Sequence, residues 1–146
     1  MDSGTEPSTG SGTESDCVFC RIVGGRAPAT IVDEDERTLA FMDINPGTRG
    51  HALVVPKTHA EDLYSIDPDD LAACAVAAQR LAARARDGLG AAGVNLVNAC
   101  RPAAWQTVFH FHVHVVPRYP GDGLVLPWRP RPGDPAEIAA AAAALR

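Results

Sequence analysis

Three histidines alternate with bulky apolar residues in the stretch 105–118, which reads WQTVFHFHVHVVPR. Phe and Val favour a buried, pleated strand, and alternate side chains of a strand share one face. His110, His112 and His114 should therefore project to one side at intervals of roughly 6.6–6.8 Å. The residues between them should face a core on the other side: Phe109, Phe111, Val113 and Val115. A strand face with three imidazoles is typical of chemistry and hard to explain as packing.

Composition narrows the classes of protein that carry such a site. The chain has 146 residues, 46% of them hydrophobic, which suits a single globular domain. A net charge of -5 and the lack of a basic stripe argue against nucleic-acid binding, so we expect a small-molecule partner. The apolar runs are too short for a membrane span, and the polar, acidic N-terminus is unlike a signal peptide. We expect a cytoplasmic protein with reduced cysteines and no membrane partner.

The hydrophobic pattern predicts an α+β fold with an antiparallel sheet of about five strands. Residues 1–16 are mostly Ser, Gly, Thr and Glu, which predicts a disordered tail before a single domain over 17–146. The strands are expected at 29–32, 38–43, 50–56 and 93–98 and in the histidine stretch.

Three helices are expected around this sheet. A short helix should begin at Cys17 and end at the glycine pair 24–25. A long helix should follow the N-cap Asp67 and end near Gly88 or Gly90. The chain from about residue 122 is a C-terminal extension, and Asp134 should cap an alanine-rich helix there.

Cys17 and Cys20 form a Cys-x-x-Cys motif with three interpretations: half of a metal site, a redox motif, or buried small residues. A thioredoxin-like motif would need a preceding strand and a following long helix, and neither is predicted here. The metal interpretation requires a second pair of ligands elsewhere in the chain.

Several motifs together resemble the histidine triad (HIT) family of nucleotide-binding proteins and hydrolases. They are Cys17-x-x-Cys20, Phe41-Met-Asp43, His51-x-Leu-Val-Val-Pro56-Lys57-x-His59, Asn98, and Gln106-Thr-Val-x-His110-x-His112-x-His114-Val-x-Pro117-Arg118. The resemblance extends from Cys17 to about Asp122 and is nearest to bacterial members related to purine nucleoside phosphoramidases. It implies a HIT-like fold. It also implies hydrolysis or transfer at the α-phosphate of purine nucleoside 5′-phosphoramidates or dinucleoside polyphosphates.

The resemblance implies a catalytic role for each member of the triad. His112 would attack phosphorus and form a nucleotidyl-histidine that water hydrolyses, with no metal required for that step. His114 would contact the phosphate and the leaving group, and Thr107 with Gln106 would hold the phosphate. His110 would fix the strand beneath the nucleophile.

Further residues match positions around the nucleotide. Asp43 matches a carboxylate that accepts hydrogen bonds from both ribose hydroxyls. Asn98 matches a polar residue beside the ribose and phosphate. His51 matches a buried histidine near the nucleotide, and both a structural role and a direct contact with the nucleotide remain open for it. Four residues match positions that sandwich the base, although each also suits an ordinary core: Phe19, Ile22, Phe41 and Ile44.

The resemblance also implies a metal and a partner chain. His59 and His110 would complete a closed set with Cys17 and Cys20, of the kind that holds structural zinc. Relatives are commonly homodimers through the long helix and a strand edge, and the flat alanine face of the helix fits this. In one respect the chain departs from the family, because segment 98–105 lacks a glycine that relatives place before Gln106. Arg101-Pro102 there would stiffen the loop, add a charge and alter substrate choice.

Two other functions remain open on the sequence. The chain could be a nucleotide-binding regulatory module whose hydrolysis is incidental. It could also be a zinc enzyme in which the alternating histidines bind a catalytic metal.

Overall fold

The structure is a computed structural model that describes residues 16–146. The elements are α1 (Val18–Val23), β1 (Ile31–Glu34), β2 (Thr38–Met42), β3 (Ala52–Pro56), α2 (Pro68–Leu89), β4 (Gly93–Val97), β5 (Val113–Arg118) and α3 (Pro135–Leu145). The strands form one antiparallel sheet in the order β1-β2-β3-β5-β4. This confirms the predicted α+β fold. The predicted disordered tail lies outside the described residues, apart from Asp16.

Helix α2 begins and ends where the sequence predicted. The Asp67 side chain accepts a hydrogen bond from the backbone N–H of Asp69, and Pro68 occupies the first turn. At the other end, Gly90 has a φ of 71°, which a residue with a side chain rarely adopts. The buried face of the helix consists of small residues and one leucine: Cys74, Ala77, Ala78, Leu81 and Ala85. These small side chains let the helix pack closely on the sheet.

The two faces of the sheet have separate cores. On one face, α2 packs against Ala40, Ala52 and Val54, which alternate along β2 and β3 with residues of the opposite face. On that opposite face, α1 packs against Leu39, Phe41, Leu53 and Val55. The middle of the sheet is thus buried on both sides, and it is a rigid support for α1 and the histidines.

The prediction of one continuous histidine strand was wrong, because β5 begins only at Val113. His114 lies on the strand, whereas His110 and His112 precede it. Residues 110–112 lie outside the sheet because backbone groups there bond to partners other than a neighbouring strand. The backbone N–H of Phe111 donates to the carbonyl of Ala60 at 2.7 Å. Phe111 is buried in the α2-side core as expected, whereas Phe109 and Val113 are only half-buried.

The C-terminal extension contains α3, capped by Asp134 as predicted through its contact with the backbone N–H of Ala136. None of the residues of α3 is buried. Within residues 16–146, no helix has the length and apolar character needed to cross a membrane.

Candidate active site

His112 is buried with a single defined tautomer. Its Nδ1 lies 2.8 Å from the carbonyl oxygen of His110. A carbonyl can only accept a hydrogen bond, so Nδ1 carries the proton and Nε2 keeps its lone pair. Asn98 donates from Nδ2 to the carbonyl of His112 at 2.9 Å, and the Phe19 ring packs edge-on at 5.2 Å between centroids. Burial lowers the pKa of His112, which favours the neutral imidazole.

His51 and His114 also have defined tautomers, because a chain of hydrogen bonds connects them. The backbone N–H of Gly47 donates to Nδ1 of His51 at 2.9 Å, so the proton of neutral His51 is on Nε2. That Nε2 lies 2.9 Å from Nδ1 of His114 and donates to it. Neutral His114 therefore carries its proton on Nε2. Burial, then the neighbouring charges of His112 and His51, lowers the pKa of His114 to about 4.

Asp43 lies beside this pair of imidazoles. Its Oδ2 is 3.4 Å from Nε2 of His51 and 4.0 Å from Nδ1 of His114, close enough for the three residues to surround a cation. A metal there would need a lone pair on Nε2 of His51, but the Gly47 N–H already occupies the other nitrogen as an acceptor. A neutral ring with that bond keeps its proton on Nε2. The geometry therefore favours a hydrogen-bonded chain over a catalytic metal.

The residues matched to nucleotide-binding positions differ in exposure. Phe19, Phe41 and Ile22 are buried together in the α1-side core, beneath His112. Ile44 is 90% exposed. Thr107 is exposed, whereas Gln106 beside it is buried. The structure thus gathers the triad, Asp43, His51 and Asn98 into one site.

Four side chains that could hold a metal ion converge next to this site, and they are the set that the family resemblance implies. The ligand atoms of Cys17, Cys20, His59 and His110 all lie within 4.8 Å of one another. The closest separations are 3.2 Å between the two Nδ1 atoms, 3.2 Å from Cys20 Sγ to His59, and 3.3 Å from Cys17 Sγ to His110. A tetrahedral zinc with bonds of about 2.0–2.3 Å separates its ligand atoms by roughly 3.3–3.8 Å. The four residues fit such an ion.

The chemistry of these side chains also suits zinc. His110 donates from Nε2 to the carbonyl of Pro56 at 2.9 Å, so its Nδ1 lone pair faces the other ligands. Hydrogen bonding with Cys20 lowers the pKa of the Cys17 thiol well below its ordinary value. A thiolate is the form that binds a metal. Since the carbonyl of His110 also holds His112, one residue joins the two sites.

Sequence reasoning missed Asp62. Its side chain is 3% exposed and accepts a hydrogen bond from Nε of Arg101 at 2.7 Å. An aspartate in a polar segment gives no local sign of burial, because its partner lies far along the chain. The backbone groups of Gly47 and Pro56, which set two histidine tautomers, were also missed, since any residue could supply them.

The sequence and the fold that carry this site are similar to those of known proteins. A model of the HIT domain matches residues 25–121. The chain belongs to the HIT family. A solved structure of a Zn-bound family member from Mycobacterium smegmatis is 48% identical to this HIT protein. The match covers 91% of this chain and 97% of that chain, with a TM-score of 0.75.

Two further HIT structures extend the comparison. A HIT family hydrolase from Legionella pneumophila is 35% identical, covering 79% of this chain and 99% of that chain, with a TM-score of 0.64. A histidine triad nucleotide-binding protein from Candida albicans is 28% identical, covering 88% of this chain and 94% of that chain, with a TM-score of 0.78. The fold is thus found in proteins from bacteria and a eukaryote.

Proposed function

We propose that this protein is a nucleotide hydrolase or nucleotidyl transferase. Its substrates are purine nucleoside 5′-phosphoramidates or dinucleoside polyphosphates, and His112 is the nucleophile. The observation that carries the proposal is the hydrogen bond from Nδ1 of His112 to the carbonyl of His110, which leaves Nε2 as a neutral nucleophile. The nucleotide-binding and hydrolase relatives support the class of substrate and reaction.

In the first step, Nε2 of His112 forms a bond to the α-phosphorus as the bond from phosphorus to the leaving group breaks. The product is a nucleotidyl-histidine, and the leaving group takes a proton from solvent if it is an amine. In the second step, water attacks the same phosphorus and gives up a proton to solvent as the bond to Nε2 breaks. This releases the nucleoside monophosphate and restores neutral His112.

His114 stabilises charge on the phosphate and assists the leaving group. In the free protein it is neutral and offers the Nε2 proton as a hydrogen-bond donor, because His51 occupies its Nδ1. That Nε2–H can donate a hydrogen bond to the phosphate or to the departing group as negative charge develops there. The exposed Thr107 holds the phosphate oxygens, whereas the buried Gln106 supports Thr107 from within the loop, because its backbone N–H and its Nε2 already donate to protein carbonyls.

The nucleoside occupies the side of the site formed by Asp43 and Ile44. Asp43 accepts hydrogen bonds from the ribose hydroxyls, and Ile44 contributes apolar surface to the base. Phe19, Ile22 and Phe41 lie beneath the site and support the base. Asn98 keeps the backbone of the nucleophile in place through its bond to the carbonyl of His112.

The Cys2His2 set is a structural zinc site in this proposal. When bound, zinc supplies fourfold ligation that fixes α1 and the histidine segment to each other. The reaction itself uses protein side chains, and His110 contributes through its backbone carbonyl.

The test is turnover of adenosine 5′-phosphoramidate, an adenylated lysine analogue and a diadenosine polyphosphate by wild type and His112→Ala. We expect wild-type turnover of at least one substrate, which His112→Ala lowers by about 10³-fold or more. A brief treatment with chelator that leaves the fold intact should preserve activity.

The other two functions give different results in the same assay. Tight nucleotide binding without turnover would indicate a regulatory binding module. Immediate loss of activity with chelator, without unfolding, would indicate a catalytic metal.

A further inference from the structure

Arg101 has a backbone conformation that is essentially restricted to glycine. Its φ is 78° and its ψ is 158°. Trp105, at the other end of the 3-10 turn Pro102–Ala104, has a φ of 77° and a ψ of 20°, in the left-handed helical region. Strained conformations of this kind persist only where surrounding contacts hold them. The contacts around residue 101 must therefore stabilise this backbone conformation.

Asp62 supplies the strongest of these contacts. Its buried carboxylate accepts a hydrogen bond from Nε of Arg101 at 2.7 Å through Oδ2. Its Oδ1 accepts hydrogen bonds from the backbone N–H groups of Tyr64 at 3.0 Å and Ser65 at 3.1 Å. The guanidinium also lies 5.0 Å from the centre of the Tyr64 ring. Arg101 is thus anchored to a turn whose own geometry is fixed.

Gln106 connects this ion pair to the active site. Its Oε1 accepts the backbone N–H of Arg101 at 2.6 Å, and its backbone N–H donates to the carbonyl of Arg101 at 3.1 Å. Its Nε2 donates to the carbonyl of Glu61 at 2.8 Å. The loop begins at Asn98, which binds the carbonyl of His112. Both ends of the strained loop therefore lie at the site, and residue 101 sets its shape.

We propose that Asp62 and Arg101 are positioning residues. The ion pair holds the backbone of residue 101 in its glycine-type conformation. Through the hydrogen bonds of Gln106, this places the neighbouring Thr107 where it holds the substrate phosphate. The inference rests on the proposed function and adds two residues that act through the loop rather than by touching substrate. It also gives a role to the departure from the family pattern at residue 101.

Two substitutions at residue 101 separate the backbone from the charge. Arg101→Gln removes the ion pair and keeps a Cβ that disfavours this conformation, whereas Arg101→Gly removes both. We expect Arg101→Gln to lower kcat/KM about tenfold or more, mainly through kcat. Arg101→Gly should stay within about threefold of wild type, because glycine adopts the conformation unaided. Asp62→Asn should resemble Arg101→Gln and should cause little further loss in the Arg101→Gly background.

Hydrogen exchange at the backbone amide of Gln106 measures the stability of the loop conformation independently of catalysis. We expect exchange about tenfold faster in Arg101→Gln than in wild type, and close to wild type in Arg101→Gly. Arg37→Gln is the matched control, since it breaks an Arg–Asp pair of 2.8 Å with Asp70, in the first turn of α2. It should change neither kcat/KM nor the exchange of Gln106. Thermal melts of every variant check that the fold is retained.

The kinetics and the hydrogen exchange of these variants together test the role of Asp62 and Arg101. Wild-type kinetics and wild-type exchange in Arg101→Gln would overturn it. An equal kinetic loss in Arg101→Gly and Arg101→Gln would also overturn it, because the substrate would then respond to the guanidinium itself. If no nucleotide is turned over by wild type, yet only Arg101→Gln and Asp62→Asn exchange faster, the proposed function fails while the control of the loop stands.

Discussion

The reactivity of His112 depends on which of its ring nitrogens carries the proton. The carbonyl of His110 fixes that proton on Nδ1, and the backbone N–H of Gly47 sets the tautomers of His51 and His114 in turn. Two backbone groups therefore direct three imidazoles. This is the reason that the spacing of the histidines alone could not reveal their roles, although it did indicate which residues to consider.

The low pKa of His112 leads to a prediction about pH. Burial disfavours the charged imidazole, so the folded-state pKa lies below the ordinary value of 6.5 and the nucleophile stays neutral as the pH falls past 6.5. We expect kcat/KM for a diadenosine polyphosphate to remain level from pH 8 to about 6.5 and to decline only below it. A pH–rate profile of the free enzyme measures this. An acid limb centred at or above 6.5 would contradict it.

We expect Asp43 to bind the ribose hydroxyls of the substrate. Asp43→Ala removes an acceptor of two hydroxyl hydrogen bonds, each worth about 1.5–3 kcal/mol when the acceptor is charged. We expect kcat/KM for a ribonucleotide substrate to fall about 100-fold or more, mainly through KM.

The matched control for Asp43→Ala is a 2′,3′-dideoxy substrate. Any disturbance of the neighbouring His51 affects both substrates equally, so their ratio isolates the ribose contact. For the dideoxy substrate we expect a change of less than about threefold. Equal losses for the two substrates would assign Asp43 to the orientation of His51 alone.

At the scale of elements, sequence reasoning succeeded where local signals are strong. The Asp67-Pro68 start and the Gly90 end of α2 are set by capping and backbone conformation, which depend on a few adjacent residues. The predicted start of β5 was wrong because the alternating pattern begins before the chain enters the sheet. Residues 110 and 111 instead contact Pro56 and Ala60, which are distant in sequence.

The loop between β4 and β5 shows the same limit. The sequence indicated that Arg101-Pro102 would stiffen it and add a charge. It did not indicate that Arg101 takes a glycine-type backbone conformation or that Asp62 is its partner. Both facts depend on residues brought together by the fold.

Helix α1 leads to a prediction about metal. It has only two buried side chains, Phe19 and Ile22, so we expect its attachment to depend on a metal held by Cys17 and Cys20. We expect about one zinc per chain in the purified protein, and Cys20→Ser to lose it and to lower Tm by at least about 5 °C. Metal analysis and thermal melts measure this.

Cys100→Ser is the control for the metal prediction, because Cys100 is half-buried and outside the ligand cluster. It should retain zinc and wild-type Tm. Retention of zinc by Cys20→Ser would refute the assignment of the ligands.

In the whole molecule, the two edges of the sheet differ in character. The edge strand β1 has an irregular register between Ile31 and Asp33 and ends in acidic residues, features that discourage pairing with another strand. The other edge, β4, has no charged residue, and Leu96 and Val97 are exposed on it. A groove of about 680 Å³ lies beside β4 and is lined by further apolar side chains: Trp105, Val125, Leu126 and Trp128. Of the two edges, β4 is therefore suited to association.

We accordingly propose that the protein is a homodimer through the β4 edge, and this is tested by one pair of variants. Leu96→Glu places a charge at the exposed centre of β4 and should convert the dimer to a monomer at micromolar concentration, because an unpaired charge at an interface is costly. Ile31→Glu makes the same change at a residue of similar exposure, 51% against 52%, on the opposite edge, and should leave the dimer intact. Light scattering coupled to size-exclusion chromatography measures both masses. A monomeric wild type, or dissociation caused by Ile31→Glu alone, would reject the β4 edge as the interface.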